Sequence, residues 1–302
     1  MLITYNLQLI TFYRNSKYLK EMSTVQISAA DVNKLRQQTG AGMMDCKKAL
    51  IEANGDFEAA VDLLRKKGQK VSAARSGNAT SEGLVSISVS EDGTNGKLVA
   101  LACETEPVSK VEDFRNLAEA VLAAAVANNP ASAEELSAIT LADGRTVAET
   151  ITELTGKIGE KIVIQEYANI TGEKIVSYIH SNGKMGVLVV FEGANGVDIT
   201  EAGKDVAMQI AAMNPVAVDK EGVDPATIER EIEIAKDVIR QEGKPEEMVE
   251  KIAAGKLNKF YKDSTLLNQE FVKDSSVDVR KFLDNTVKGL TVTAFKRVQL
   301  GA

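Results

Sequence analysis

The sequence is poor in the residues that most often carry enzyme chemistry. Its 302 residues include one histidine, two cysteines and no tryptophan. A single histidine, His180, excludes zinc sites built on two histidines and motifs such as H-E-x-x-H. The two cysteines, Cys46 and Cys103, are too far apart in sequence for a CxxC pair and too few for a disulfide framework. This cysteine usage is typical of a reducing, cytoplasmic compartment.

Basic residues are outnumbered by acidic ones. The chain has 36 lysines and arginines against 43 acidic residues, a net charge of −7 and a pI of about 5.1. This balance argues against a nucleic-acid partner, because such a partner requires many phosphates to be neutralised. No apolar run reaches the length of a membrane span, so we expect no membrane partner. The 44% of hydrophobic residues can form a globular core, and the length indicates two or three domains.

Residues 1–21 differ from the rest of the chain. They contain three basic residues and one acidic residue, and Asn6 and Gln8 interrupt the apolar run. The basic residues follow the apolar run, which reverses the order of a secretory signal. Because a well-formed domain start follows Met22, we expect residues 1–21 to be a non-functional extension or the product of a misassigned start codon.

Three short helices are predicted in the next segment. Ser28 begins the first, the glycine turn after Thr39 separates it from the second, and Asp56 begins the third. A small helical bundle over residues 22–70 resembles a ubiquitin-associated (UBA-like) domain. The basic, small and polar residues 71–82 predict a linker, with an extended helix end as the alternative.

The remaining sequence shows strand periodicity as well as helical periodicity. Residues 84–103 and 174–191 each predict a β-hairpin, and each hairpin precedes an amphipathic helix that ends at Asn-Pro. We therefore expect an α+β fold with a duplicated β-hairpin-plus-helix core. Subdomain 1 with its connection covers 83–172, and subdomain 2 covers 173–302.

An antiparallel helical hairpin is inserted in subdomain 2. Residues 224–262 predict two amphipathic helices joined by the tight turn Gly243-Lys244-Pro245. Such a short seam needs a partner surface for stability, so the hairpin is expected to project from the core. Self-association and exposure to solvent both stay open as its role.

No nucleotide-binding motif is present in the sequence. Gly40-Ala41-Gly42 lacks the third glycine of G-x-G-x-x-G and joins two helices instead of following a strand. The Gly-Lys pairs elsewhere lack the spacing of a P-loop. We therefore expect no cofactor and no metal site in this chain.

Isolated residues support few other kinds of chemistry. His180 is interpreted as a capping or packing residue, Cys46 as a small buried residue, and the basic group 65–70 as a solvated face. Glu104 and Glu106 form a solvated loop unless further ligands make them a metal or acid–base pair. A small-molecule enzyme that uses Glu106 or Cys46 stays open, although no substrate can be named.

Met43 and Met44 directly follow the Gly-Ala-Gly turn at the start of a predicted helix. One methionine can face the core, but two adjacent ones cannot easily both do so. An exposed methionine suits an adaptable surface that binds a partner. Core packing and an interface both stay open.

One long run carries a resemblance to a known family. Thr39–Leu50 reads TGAGMMDCKKAL and is followed by EANGD at Glu52–Asp56, which is similar to the N-terminal signature of the elongation factor Ts family of bacterial translation. The resemblance extends from about Met22 to Ala302. It implies a guanine-nucleotide exchange factor, not an enzyme. Such a factor binds elongation factor Tu, both GDP-bound and nucleotide-free, in the cytoplasm and without a cofactor; a 2:2 assembly stays open.

The resemblance also assigns partner-binding residues. The N-terminal domain is implied to dock on the nucleotide-binding domain of elongation factor Tu through Thr39, Gly40, Ala41, Gly42, Met43, Met44 and Lys47. The core contact is assigned to His180, Gly183 and Met185. The loop that reaches toward the partner's magnesium ion and loosens it is matched by Thr105, Glu106, Pro107 and Val108.

This loop departs from the family pattern, which usually reads Thr-Asp-Phe-Val. Glu106 keeps the acid with one more methylene, whereas Pro107 replaces the aromatic wedge and offers less area to bury. The alternative function is therefore a module that binds and stabilises elongation factor Tu with weak or no exchange activity.

Overall fold

The computed structural model describes residues 27–301. The expected extension, residues 1–21, lies outside the described residues. The chain divides into an N-terminal unit, residues 27–78 with Glu149–Lys161, and a C-terminal unit, Ala79–Ala148 with residues 162–301. The structure thus groups residues 149–161 with the N-terminal helices, where the sequence pattern placed them in core subdomain 1.

Helices and strands together make an α+β protein. The helices are α1 (Ala29–Thr39), α2 (Met43–Glu52), α3 (Phe57–Ala74), α4 (Glu106–Ser109), α5 (Glu112–Asn128), α6 (Ala133–Ala138), α7 (Val147–Ile158), α8 (Thr200–Met213), α9 (Pro225–Gln241), α10 (Glu246–Ser264) and α11 (Val279–Thr286). The strands are β1 (Glu82–Val89), β2 (Asn95–Cys103), β3 (Ile162–Thr171), β4 (Lys174–Ile179), β5 (Met185–Glu192), β6 (Glu270–Phe271), β7 (Asp274–Asp278) and β8 (Thr291–Gln299). Among the described residues, no helix is long and apolar enough to cross a bilayer.

Local hydrogen bonds define the ends of the N-terminal helices. The Ser28 hydroxyl accepts the Asp31 amide at 3.1 Å, and the Asp31 carboxylate accepts the Ser28 amide at 3.2 Å, which is a reciprocal capping box. Asp56 caps α3 in the same way through the Ala59 amide. Helix α3 then continues to Ala74, so the first residues of the expected linker form an extended helix end, which was the alternative interpretation.

The N-terminal unit has its own apolar core. Buried residues of α1, α2 and α3 pack together: Val32, Leu35, Cys46, Ala49, Leu50 and Ala60. Helix α7 approaches α3 closely, since a Cβ on Gly156 would lie 2.5 Å from the Gly68 Cα. Two facing glycines therefore allow these helix backbones to meet.

Two three-stranded antiparallel sheets form the C-terminal unit. Their orders are β1-β2-β3 and β4-β5-β8, and β6 pairs with β7 in a small separate ladder. Each sheet consists of a hairpin and a third strand that joins the return strand of that hairpin. Strand β3 lies in the stretch 131–172, for which the sequence pattern predicts no separate strand.

The inner faces of the two sheets share one hydrophobic cluster. It contains Val85, Leu98, Ala100, Ala102, Ala168, Ile175, Leu188, Val190, Val298 and Leu300. Gly96 and Gly186, the first residues paired in the return strand of each hairpin, lie against the opposite sheet. A Cβ on Gly186 would lie 2.5 Å from Val85 Cγ1, and one on Gly96 would lie 3.1 Å from Leu188 Cδ2. A side chain at position 186 would therefore force the sheets to shift, and one at position 96 would require the facing side chains to move by a few tenths of an ångström.

Each sheet is covered by a helix that ends in the same way. The C-cap of α5 is Asn129 with φ 50°, and the C-cap of α8 is Asn214 with φ 45°. Both are left-handed and both precede a proline, which cannot continue a helix. The hydrophobic cluster beneath α8 also includes residues of α11 and β8.

Helices α9 and α10 pack against each other through Ala235, Ile239, Val249 and Ala253. Ion pairs flank this small core, with Lys236 Nζ 2.9 Å from Glu250 Oε1 and Arg240 Nη2 3.0 Å from Glu246 Oε1. The two glutamates are more than 70% exposed, although the Lys236 side chain is only 18% exposed. Pairs that are this open to solvent on one side contribute little to stability.

A buried lysine joins several parts of the first sheet. The Lys97 ammonium donates to the side-chain oxygens of Asn95 at 2.5 Å, Asn129 at 2.6 Å and Asn169 at 2.9 Å. Burial lowers the pKa of Lys97 below its ordinary value. The three amide oxygens replace its hydration shell, and the positive charge lies at the C-terminal end of α5, where the helix dipole favours it.

The close contact between the sheets predicts that one methyl group added at position 186 lowers the stability of the protein. The Gly186→Ala substitution should lower the free energy of unfolding by about 1–3 kcal/mol, because the new Cβ would clash with Val85 and Ile87. Urea denaturation followed by circular dichroism measures this change. Gly255→Ala in α10 is the control, since no atom lies within 4 Å of its Cβ position, and it should be neutral or stabilising. Equal stability of the two variants would contradict the close packing.

Candidate functional site

Local hydrogen bonds close the turn between α1 and α2. Gly40 is left-handed, with φ 64°, and donates its amide to the Arg36 carbonyl at 2.7 Å. Thr39 Oγ1 donates to the Leu35 carbonyl at 2.8 Å and accepts from the Ala41 amide at 3.3 Å. Gly42 is the N-cap of α2. Thr39, Gly40 and Gly42 thus determine how helix α2 starts.

Met43 and Met44 are both exposed, at 56% and 63%. The alternative that one of them packs in the core is therefore wrong, because the preceding turn directs the first residues of α2 outward. Cys46, one helical turn further on, is fully buried, as its interpretation as a small core residue predicts.

An exposed surface continues along α2 from the two methionines. Lys47 is exposed, and Ile51 has 53% of its surface open to solvent. Met44, Lys47 and Ile51 are spaced by three and four residues, so they lie on one face of the helix. The face combines apolar area with a positive charge.

The segment Thr105–Val108 is helical, although the sequence predicts a loop. Glu106–Ser109 form the single turn α4, with Thr105 at the N-cap and Pro107 at the second helical position, where proline is tolerated. Thr105, Glu106 and Pro107 are exposed, whereas Val108 is only 7% exposed. The buried valine anchors a turn that presents the other three residues to solvent.

The Glu106 carboxylate is held by a neighbouring lysine. Lys110 Nζ lies 2.8 Å from Glu106 Oε1, one helical turn away, and both side chains are more than 60% exposed. The hydrogen bond and the charge of Lys110, with a contribution from Lys184, lower the pKa of Glu106 below its ordinary value. The group is therefore an exposed carboxylate at neutral pH.

The three core residues assigned to partner binding lie at the turn between β4 and β5, but not in equivalent environments. His180 is exposed, and its Nδ1 lies 2.9 Å from the Tyr178 hydroxyl. The Gly183 carbonyl accepts the Val85 amide at 2.8 Å, so this glycine joins the turn to the first sheet. Met185 is half-buried against the core beneath α8.

His180 and Met185 line an open pocket of about 440 Å³, and Gly183 does not. Most of the pocket is apolar, and Tyr178, Met208, Phe271 and Val272 contribute to its wall. Sequence reasoning missed these four residues because they come from three elements and a loop that the fold brings together. Val272 is 60% exposed, which the sequence pattern does not predict for a valine.

Exposed apolar side chains beside rigid turns are typical of surfaces that bind another protein. Within residues 27–301, no group of three or more His, Cys, Asp or Glu side chains could hold a metal ion. Exposed apolar side chains of this kind are typical of the class of proteins that act by binding another protein.

Comparison with known proteins gives the family. The family model described as Elongation factor TS matches residues 104–302. A protein called elongation factor Ts from Cytophaga hutchinsonii is 69% identical over 279 residues, which cover 92% of this chain and 100% of the relative. Proteins of the same name from Amoebophilus asiaticus and Porphyromonas gingivalis are 52% and 46% identical, each over 91% of this chain and 99% of the relative. The chain belongs to the elongation factor Ts family.

The ion pair between Glu106 and Lys110 predicts a measurable change in the pKa of Glu106 when the lysine is replaced. Lys110→Met should raise the pKa of Glu106 toward the ordinary value of glutamate, because the main group that stabilises its charged form is removed. Carbon-13 NMR of the side-chain carboxyl groups across acidic pH measures the shift. Lys288→Met, at an exposed lysine in the turn between α11 and β8, is the control and should leave Glu106 unchanged. An unaltered pKa in the Lys110 variant would contradict the interaction.

Proposed function

We propose that this protein is a guanine-nucleotide exchange factor that binds elongation factor Tu carrying GDP and speeds GDP release during translation elongation in the cytoplasm. One observation carries the proposal: in a member of the elongation factor Ts family, α4 presents an exposed Glu106 carboxylate on a turn anchored by buried Val108. Hydrolysis and the magnesium ion belong to the partner, so this chain acts by contact and not as an enzyme.

The N-terminal unit provides the docking surface in this proposal. Met43 and Met44 offer apolar area that adapts to a partner, and Lys47 adds a positive charge on the same helix. Thr39, Gly40, Ala41 and Gly42 hold this surface in place through the turn that precedes it. Residues 22–70 are proposed to form a UBA-like bundle that docks on the nucleotide-binding domain of elongation factor Tu.

The turn Thr105–Val108 is proposed to act on the nucleotide site of the partner. A carboxylate is a strong ligand for magnesium and repels phosphate groups, so Glu106 near the GDP–magnesium pair would weaken the binding of both. The low pKa of Glu106 supports this role, because the side chain stays charged at neutral pH. The effect is a coupling free energy between the factor and GDP on elongation factor Tu.

The core is proposed to make a second contact with a more distant part of elongation factor Tu. The pocket beside His180 and Met185 offers an apolar surface with a polar rim, which suits a protruding side chain of a partner. The similar positions of Gly96 and Gly186, and of Asn129 and Asn214, support the proposal that the two hairpin–helix units are duplicates.

A second candidate function is a module that binds and stabilises elongation factor Tu without exchanging its nucleotide. Pro107 favours this candidate, since it occupies the exposed position where the family pattern has an aromatic wedge. Proline has too little apolar area to replace such a wedge. The two candidates share the same docking surfaces and differ in the GDP dissociation rate.

Stopped-flow fluorescence of labelled GDP leaving elongation factor Tu tests the proposal. Saturating factor should accelerate release, and Glu106→Gln should reduce that acceleration about tenfold or more, which is about 1.4 kcal/mol of lost coupling. Pro107→Phe should increase the acceleration by restoring an apolar wedge.

Glu119→Gln is the matched control, because Glu119 is an exposed carboxylate on α5 of the same unit. It should behave like the unaltered protein. Complex formation with an unchanged GDP release rate would favour the binding module, and a rate unaffected by Pro107→Phe would refute the role assigned to the wedge position.

A further inference from the structure

A groove with lysines on its rim lies between α2 and α3, beside the residues assigned to partner docking. Its open volume is about 610 Å³. The groove is lined by Asp45, Lys48, Ala49, Glu52, Leu63, Leu64, Lys66, Lys67, Gln69, Lys70 and Ala73. Neither Met43, Met44 nor Lys47 belongs to this lining, so the groove is distinct from the proposed docking face.

The charge of the groove opposes that of the whole chain. Four lysines and two acidic residues line it, although the net charge of the protein is −7. One acid is already neutralised, since Asp45 Oδ1 lies 2.5 Å from Lys67 Nζ. In the described part of the chain, no carboxylate forms an ion pair with Lys48, Lys66 or Lys70. The groove therefore concentrates positive potential on a protein that is otherwise acidic.

The floor of the groove is apolar. Leu63 and Leu64 are half-buried on α3, Ala49 is buried on α2, and Ala73 extends the floor along α3. The eleven residues from Leu63 to Ala73 span roughly 15 Å at the rise of an α-helix, which matches about three turns of a partner helix. Lys66 and Lys70 are one turn apart on the rim and can contact acids with the same spacing.

The lining residues favour a peptide over other anions. Single-stranded nucleic acids bind on aromatic platforms and arginines, and neither residue type occurs in this lining. A lipid surface is bound by a convex amphipathic helix, whereas these lysines surround a concave, apolar floor. The groove can bind a ligand that carries negative charge on one edge and apolar side chains on the other, because the lysines contact the first and the apolar floor contacts the second.

We propose that this groove binds an acidic amphipathic helix of a protein partner, with apolar side chains on Leu63 and Leu64 and with carboxylates at Lys48, Lys66 and Lys70. This is the helix-in-groove mode of recognition. It goes beyond the proposed exchange function, because it gives the N-terminal unit a second surface for a second segment.

Fluorescence anisotropy with the full chain tests the proposal. The binding partner is a labelled synthetic helix of about 14 residues, roughly four turns, with leucines on one face and glutamates on the other. We expect saturable binding that weakens as salt screens the charges. The triple variant Lys48→Glu, Lys66→Glu, Lys70→Glu should weaken it at least about tenfold, because attraction becomes repulsion.

The control variant carries the same charge change elsewhere, as Lys204→Glu, Lys244→Glu, Lys259→Glu, and should bind the peptide normally. Equal losses in both variants, or equal binding of a peptide with lysines in place of glutamates, would overturn the proposal. Displacement of the peptide by a single-stranded RNA at equal concentration would overturn it in favour of nucleic acid. The triple Lys→Met variant at the groove positions retains the aliphatic stems and should lose most of the salt dependence, and unchanged dependence counts against the proposal.

GDP release from elongation factor Tu distinguishes this proposal from the proposed function. The groove variant should accelerate release as the unaltered protein does, because its substitutions lie outside the docking residues. If acceleration and peptide binding are lost together, the groove is part of the elongation factor Tu interface and the proposal of a second surface is wrong. If acceleration is absent in the unaltered protein while the peptide binds, only the exchange function fails.

Discussion

The close approach of two small β-sheets is the contact on which the C-terminal unit depends. Each three-stranded sheet buries its inner face on the other, and both contribute residues to one hydrophobic cluster. Gly96 and Gly186 allow this approach because a side chain at either position would press on residues of the opposite sheet. Backbone hydrogen bonds support it, with Val85 donating to Gly183 and Ile175 donating to Gly93.

The two packed sheets position the turns of the candidate site. Turn α4 follows β2 directly, so the sheet determines where Glu106 and Pro107 emerge, and Val108 packs into the interior beneath them. The turn with His180 is held by the hydrogen bond from Val85 to Gly183. A factor that acts by contact needs such preorganised surfaces, because ordering them during binding would reduce the affinity.

Local signals predicted much of the fold, and long-range packing accounts for most of what they missed. The hairpins, the helix ends at Asn129 and Asn214 and the cap at Ser28 follow from short-range chemistry, and the structure contains all of them. Strand β3 was missed because its pairing partner β2 is about sixty residues away and its apolar residues do not alternate regularly.

The site shows the same division between local and long-range information. The motif at Thr39–Leu50 identified the family from sequence, and the comparisons confirm it. The exposure of both methionines and the helical form of α4 required coordinates, since an identical string can be buried or exposed. The pocket at His180 could not be predicted, because Phe271 and Val272 reach it from a distant part of the chain. The roles of these residues stay proposals.

Under the proposed exchange function, this protein and GDP weaken each other's binding to elongation factor Tu. Isothermal titration calorimetry of this protein into elongation factor Tu, once with GDP and magnesium and once without nucleotide, measures that coupling. We expect tighter binding to the nucleotide-free form, by the same factor by which saturating protein lowers the affinity for GDP, because linkage is reciprocal. Equal affinity for the two forms would refute the proposed coupling.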